Sequence, residues 1–238
     1  IVLDIADPAA VATDRLTLEH AFASARYTIE EVVFADGTVL TQAEMQSLAE
    51  VIHGTAGDDT LTGTTARDVL HGNGGNDSIT GLGGNDELYG EAGNDTLDGG
   101  DGNNSLSGGD GNDVLTVRYG QSSLSGDAGD DTLTVERFDS WNQRADVHTF
   151  TGGTGNDRLE GFSSADTYVF NRGDGQDVIN DYNHYNYGTG TDRIQLGAGI
   201  LREQVTVSRD GDHIVLDIAD PAAVATDRLT LEHAFASA

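Results

Sequence analysis

The sequence predicts an all-β chain: a parallel coil of short strands, two to a turn, flanked by small antiparallel hairpins and one short capping helix. Three observations lead there. Residues 54 to 134 divide into nine consecutive nine-residue blocks, of which GNGGNDSIT, GLGGNDELY, GEAGNDTLD and GGDGNDVLT are the clearest. Two runs of alternating apolar residues fold back at Asp-Gly pairs. And 32 glycines with only 37% hydrophobic residues in 238 leave too little apolar mass for one large packed core.

Taken in chain order, the first element is the hairpin in YTIEEVVFADGTVL, which alternates on either side of Asp36-Gly37. Thr41 and Glu44 then have the spacing of a capping box, with Leu40 and Met45 placed as a hydrophobic staple. They predict a short helix through about Val51 that shields the open end of the coil.

The blocks follow. Glycine at positions 1, 2 and 4 permits a tight turn, position 6 is acidic, and position 8 is apolar. The last three residues of each block form a short strand with position 8 pointing inward. That gives a ladder of Leu61, Leu70, Ile79, Leu88, Leu97, Leu106, Leu115, Leu124 and Leu133. A flexible Gly/Asn/Asp linker has no reason to place an aliphatic residue at every ninth position. After Thr134 the register breaks over 135 to 151, where a bulge is expected, and resumes at GGTGNDRLE, GFSSADTYV and, after two extra residues, RGDGQDVIN. The last hairpin, QVTVSRDGDHIVLDI, turns at Asp210-Gly211. The domains read as 1–52, a hairpin region with its helix; 53–182, the coil; and 183–238, a second hairpin region.

With two blocks to a turn, position-6 side chains of alternate blocks stack at the spacing of neighbouring strands, about 4.8 Å. One side carries Asp59, Asp77, Asp95, Asp113 and Asp131; the other carries Asp68 and Asp86, then Asn104 and Ser122. Calcium takes six to eight hard oxygens, and paired carboxylates beside glycine-turn carbonyls supply them. Four sites follow on the first side, one between Asp68 and Asp86, and one between Asp157 and Asp177. Asn104 offers a neutral oxygen and at most a weaker site, and Asp166 has no obvious acidic mate. Six calcium ions would take the formal charge from −29 to about −17.

The charge arises from 41 Asp and Glu against 12 basic residues, all of them Arg. It disfavours nucleic acid and anionic membranes as partners, and no apolar run is long enough to insert in a membrane. There is no cysteine, so neither a disulfide nor a thiolate site staples the fold. The blocks are not EF-hands, since they lack the flanking helices and the distal Glu, and their acidic turns would repel phosphate. His20, His53, His71, His148, His184, His213 and His233 include no zinc-site spacing, and no Gly-x-Ser-x-Gly nucleophile motif occurs. An enzyme is not expected. Trp141, Tyr182, Tyr185 and Tyr187 lie in polar loops; stacking on sugars is the sharper reading of them, and covering the ends of the coil the plainer one.

A longer repeat encloses all of this. IVLDIADPAAVATDRLTLEHAFASA occupies 1 to 25 and recurs unchanged at 214 to 238. Structural demand alone would fix only the apolar and turn positions, so the identity points to one period of a tandem array; an artificial duplication is the alternative. A hairpin region split between the two ends predicts head-to-tail self-association.

The blocks resemble the repeats-in-toxin (RTX) proteins, with their nonapeptide GGxGxDxUx. TYVFNRGDGQDVI, TDRIQLGAGILREQVTVSRDGDHIVLDI and YTIEEVVFADGTVLT are similar to the haemolysin-type calcium-binding related domain. The resemblance implies a parallel β-roll, type I secretion from a Gram-negative bacterium, and folding by calcium outside the cell. Two functions fit: a structural unit of a long secreted or cell-surface protein such as an adhesin stalk, surface layer or filament, and the secretion and folding tail of a secreted enzyme or toxin. The 213-residue period favours the first. A carbohydrate-binding module is a third reading, resting on the aromatic loops.

Overall fold

The computed structural model describes residues 2–5, 14–17, 31–33, 39–41, 50–136, 146–162, 165–181, 191–219 and 226–234. The chain divides into two compact units, Ile1–Glu50 and Val51–Ala238. In the first, β1 (Val2–Ile5) pairs antiparallel with β2 (Asp14–Thr17), and β3 (Glu31–Val33) with β4 (Val39–Thr41). The expected hairpin is the second of these pairs, although its turn lies outside the described residues. So do Trp141, Tyr182, Tyr185, Tyr187 and residues 42–49, where most of the expected helix falls. At the helix's far end Glu50 and Val51 are strand instead.

The chain continues through β5 (Glu50–His53), β6 (Thr60–Thr62), β7 (Asp68–Gly74), β8 (Ser78–Thr80), β9 (Glu87–Ala92), β10 (Thr96–Asp98), β11 (Ser105–Asp110) and β12 (Val114–Val117). It goes on through β13 (Ser123–Ala128), β14 (Thr132–Val135), β15 (Thr149–Thr154), β16 (Arg158–Gly161), β17 (Thr167–Phe170), β18 (Gln176–Asp181) and β19 (Arg193–Leu196). After a 3-10 turn at Arg202–Gln204 come β20 (Val205–Asp210), β21 (His213–Ile218) and β22 (Asp227–Leu231). Odd strands β5 to β19 stack in one sheet and even strands β6 to β18 in the other, so each circuit adds one strand to each sheet. The circuits advance in one direction, which makes the pairs parallel: Leu61 stands opposite Ile79, and Leu97 opposite Ile79 and Leu115. Among the described residues the chain is a parallel β-roll without an α-helix, and no helix is long and apolar enough to cross a membrane.

The position-8 ladder is the core. From Leu70 to Leu133 every rung is buried, while Leu61 at the first turn is half-buried against it. The ladder continues through Phe150, Leu159, Tyr168 and Ile179, where the Phe150 and Tyr168 rings stack at 5.2 Å.

The register break is smaller than the 135–151 expected for it. Val135 still belongs to β14 and Thr149 already opens β15. Leu124 stands opposite Phe150 and Leu133 opposite Leu159. Residues 135–151 therefore hold one full block, with His148 at position 6 and Phe150 at position 8, plus eight others: the step is 26 residues in place of 18. The block is hidden in sequence because Gln143, Arg144 and Asp146 stand where its turn glycines are expected.

At the far end the sheet runs on without interruption. β22 pairs parallel with β18, then antiparallel with β21, which pairs with β20. Asp210 is opposite His213, so the hairpin turns at Gly211-Asp212, one residue later than the Asp-Gly pair suggests. Glycine, at φ +58°, takes the first central place.

From the third block on, most turns take left-handed backbone at positions 2 and 4. Position 4 is glycine in most blocks, and there a Cβ would also collide with a carbonyl of the preceding turn, as on Gly93 against Gly75 O. Position 2 is more varied: Asn73, Leu82, Glu91 and Asp127 all sit at φ between 73° and 77°. Leucine is the poorest fit of these, costing on the order of 1 kcal/mol over glycine. Leu82, which is largely exposed, is thus a strained residue with little packing to lose. Leu82→Gly is expected to stabilise the calcium-loaded chain by about 1 kcal/mol in urea denaturation; an unchanged or lower midpoint would argue against strain at this turn.

Candidate metal centre

The position-6 side chains stand where one strand enters the interior, and all but the first are buried. Within each side they are linked turn to turn. Asp59 N–H donates to Asp77 Oδ1 at 2.8 Å, and Asp77 N–H to Asp95 Oδ1, Asp95 N–H to Asp113 Oδ1 and Asp113 N–H to Asp131 Oδ1, each at 2.7 Å. The chain of bonds crosses the register break: Asp131 N–H donates to Asp157 Oδ1 at 2.8 Å, and Asp157 N–H to Asp177 Oδ1 at 3.1 Å. Asp59, Asp77, Asp95, Asp113, Asp131, Asp157 and Asp177 therefore form one column. Spacing alone separates Asp131 from Asp157, because the hidden block lies between them.

Each carboxylate uses one oxygen this way, and the other is left over. Oδ2 of Asp77, Asp86, Asp95, Asp113, Asp131, Asp157 and Asp177 is buried with no hydrogen-bond partner. For all of these but Asp177, whose block opens on Arg172, the position-1 glycine shows where the oxygen looks. A Cβ on Gly72 would collide with Asp77 Oδ2 and lie 2.7 Å from Gly90 O; one on Gly90 would collide with Asp95 Oδ2 and lie 2.5 Å from Gly108 O. The orphaned oxygen and a main-chain carbonyl of the next turn thus converge beside a glycine that leaves the space clear. Anionic and carbonyl oxygens with no donor among them are a donor set for a hard cation. The first turns differ: Thr55 donates N–H and Oγ1–H to Asp59 Oδ2, and Thr64 does the same to Asp68 Oδ2.

Burial raises six carboxyls of the columns above their ordinary value near 3.8, with backbone hydrogen bonds opposing it and neighbouring carboxylates adding to it. Asp113 and Asp157 are pushed up to about 6, Asp131 to about 7 and Asp177 to about 8. Asp86 and Asp95 move in the same direction for the same reason.

The other column runs Asp68, Asp86, Asn104, Ser122, His148 and Asp166. Asp68 N–H donates to Asp86 Oδ1, and Asp86 N–H to Asn104 Oδ1, both at 2.9 Å. That second bond fixes the Asn104 amide: its oxygen faces Asp86, so its NH2 faces inward and donates to Gly99 O at 2.9 Å and Gly100 O at 3.4 Å. The expected weaker site is thus corrected. A donor stands where the Asp turns leave an oxygen, and it satisfies the carbonyls itself. Ser122 repeats the device, accepting from Asn104 N–H at 3.1 Å and donating to Gly102 O at 3.2 Å. Asp166 does have acidic neighbours: its N–H donates to Asp192 Oδ1 at 3.1 Å, and carboxylate oxygens of Asp166, Asp181 and Asp192 lie within 4.8 Å of one another.

Position 5 forms a ladder that the sequence reading did not single out. Asn76 N–H donates to Asp58 Oδ1, Asn94 N–H to Asn76 Oδ1, Asn112 N–H to Asn94 Oδ1, Asp130 N–H to Asn112 Oδ1 and Asn156 N–H to Asp130 Oδ1, at 2.7 to 2.9 Å. The recurring Asn or Asp before the position-6 acid was the signal for it. These bonds run in the opposite sense to those of position 6, so each turn is tied to its neighbours from both directions.

Comparison with known families settles the class of this centre. A model of the RTX calcium-binding nonapeptide repeat matches four times, over residues 53–88, 80–115, 107–139 and 149–179. The haemolysin-type calcium binding protein related domain matches residues 11–44. The chain belongs to the RTX calcium-binding repeat family. Its RTX matches take in the Asp residues of both columns but not residues 140–148, and the related-domain match takes in the β3–β4 hairpin.

Solved structures similar to this RTX chain include the extracellular lipase LipA from Serratia marcescens, 22% identical, with a TM-score of 0.35. That match covers 78% of this chain and 38% of the lipase. The AlgE6R3 subunit from the Azotobacter vinelandii mannuronan C5-epimerase is 25% identical over 75% of this chain and 72% of its own, with a TM-score of 0.19. No curated protein matches.

Two predictions follow from the geometry of the columns. The first concerns pH. A carboxyl raised in the fold keeps a proton that the unfolded chain has released, so without calcium the fold loses stability as pH rises from about 4 to about 8. Calcium competes with those protons and binds more tightly across the same range. In chelator the chain should retain more β-structure by circular dichroism at pH 5 than at pH 8, and its calcium midpoint should be higher at pH 5; a pH-independent midpoint would contradict the raised carboxyls. The second concerns Asn104. Asn104→Asp replaces the inward NH2 by a carboxylate oxygen. It should raise the bound calcium by one ion in native mass spectrometry, while costing about 1 kcal/mol in chelator through the lost hydrogen bonds.

Proposed function

We propose that this chain is a calcium-loaded structural unit of a long protein secreted by a Gram-negative bacterium, as in an adhesin stalk, surface layer or filament. The observation that carries the reading is the column of buried carboxylates from Asp77 to Asp177, each with one oxygen that the protein leaves unsatisfied. It is supported by the verbatim recurrence of residues 1–25 at 214–238, which a terminal folding tail has no reason to contain. In this reading the chain bears load and spacing and performs no catalysis of its own. The alternative, a secretion and folding tail of a secreted enzyme or toxin, would use the same calcium chemistry, and a catalytic domain in the same polypeptide would favour it.

The ions are held by consecutive members of the column from Asp59 to Asp177, with a further one between Asp68 and Asp86. The Asp131–Asp157 pair adds one to the six that spacing alone suggests, and seven ions would bring the charge from −29 to about −15. Calcium supplies positive charge at the orphaned oxygens. Everything else is done by the chain: the glycines keep the space open, Oδ1 ties each turn to the one before it, and the Leu ladder excludes water.

Folding is then coupled to calcium, because burying these carboxylates unpaired costs several kcal/mol for each ion. Inside a cell, where free calcium is low, the chain would stay unfolded; outside, sites with affinities near 10⁻⁴ to 10⁻³ M would fill. Calcium titration followed by circular dichroism at pH 7.5 should show a cooperative gain of β-structure, reversed by chelator. A roll that persists in excess chelator at that pH would sink the proposal.

A further inference from the structure

The two identical 25-residue stretches also pair identically. In β1–β2, Val2 is opposite Thr17, Leu3 opposite Leu16, Asp4 opposite Arg15 and Ile5 opposite Asp14. In β21–β22 the same residues meet in the same register: Val215 with Thr230, Leu216 with Leu229, Asp217 with Arg228, and Ile218 with Asp227. The second copy is docked. β22 lies parallel to β18, the last strand that the roll contributes to its sheet, with Asp177 opposite Leu229 and Ile179 opposite Leu231.

The docking contacts come from a short run of residues. Arg228 N–H donates to Gly175 O at 2.8 Å and Glu232 N–H to Ile179 O at 2.9 Å. Gly173 N–H donates to Asp227 Oδ2 at 2.8 Å, Arg158 donates from Nη1 to Glu232 Oε2 at 3.2 Å, and Leu229 is fully buried. Asp227, Arg228, Leu229 and Glu232 all fall within the duplicated stretch. The first copy carries the same set as Asp14, Arg15, Leu16 and Glu19. β1 and β2 form a sheet of two strands, and no described strand pairs with the edge of β2 that corresponds to the docked edge of β22.

We infer that the first copy in one molecule docks on the β18 edge of another, in place of that molecule's own β22, so that identical chains join by strand exchange. The partner is a second copy of this chain, and the register is given: Arg15, Leu16, Thr17 and Leu18 opposite Gln176, Asp177, Val178 and Ile179. The tethered β22 competes at an effective concentration on the order of millimolar, so the isolated chain is mainly closed on itself. Weakening β22 alone opens the edge to the free copy.

Thr230 lies midway between the two residues whose N–H groups donate to β18, and proline there removes a donor in the middle of a paired strand. The test is sedimentation velocity of the full chain in saturating calcium over a range of concentrations. Thr230→Pro should associate with rising concentration, and Thr17→Pro/Thr230→Pro should stay monomeric, because it has lost both copies. A Thr230→Pro chain that is monomeric throughout, or a double variant that associates as strongly, would overturn the inference. The inference rests on the repeat-unit reading of the duplicated stretch but not on metal-coupled folding, and circular dichroism of the wild-type chain with and without calcium separates the two. Loss of the calcium transition there would count against metal-coupled folding, whereas its persistence with no exchange would count against docking alone.

Discussion

From Asp77 to Asp177 each turn of this roll brings a carboxylate inside and gives it half of what it needs. One oxygen accepts a main-chain N–H from the turn before; the other meets only carbonyl oxygen and glycine. An ionised carboxylate in that position costs several kcal/mol unless something positive sits beside it, and the repetition multiplies the cost over the six from Asp77 to Asp177. A proton is the poor solution, as the raised carboxyls show; a divalent cation is the good one. The excess of acid over base, the absence of lysine and the thin hydrophobic interior are all consistent with this arrangement.

The remaining parts of the roll share the work in ways that do not depend on metal. The Leu ladder excludes water and fixes which face of each strand turns inward. The Asn/Asp ladder at position 5 links turns on the outside with side-chain-to-backbone hydrogen bonds. On the second side, Asn104 and Ser122 fill the place of the acid with donors that satisfy the carbonyls directly. The two sides of one coil are thus held by different chemistry over the same turns: calcium-type oxygen sets on one side, amide and hydroxyl donors on the other. Such a middle stretch carries less charge repulsion than a fully acidic pair of columns would.

Parallel stacking leaves open edges, and a repeat architecture must deal with them. At the C-terminal end of the roll the solution is a change of direction: β22 continues the parallel sheet, then β21 and β20 run antiparallel and end it. The strand that makes the junction comes from the duplicated segment, which ties the capping of one roll to the larger period of the chain.

The nonapeptide period by itself determined the parallel coil, the inward Leu ladder and the acids from Asp59 to Asp131, because a two-block turn stacks like on like and leaves little choice of register. The hairpin at Asp210 was legible for a similar local reason. What only the tertiary structure decided lay where neighbours, and not spacing, set the chemistry. His148 had to be placed beneath Ser122 before Asp131 and Asp157 could be recognised as adjacent, since its block lacks the glycines that mark the others. Asn104 and Asp are nearly the same shape, yet the Asp86 N–H orients the amide so that it presents a donor where the acid would present an oxygen. And the glycines at position 1, such as Gly72 and Gly90, serve a purpose that no dihedral preference reveals: the missing Cβ is the space into which two oxygens from different turns converge.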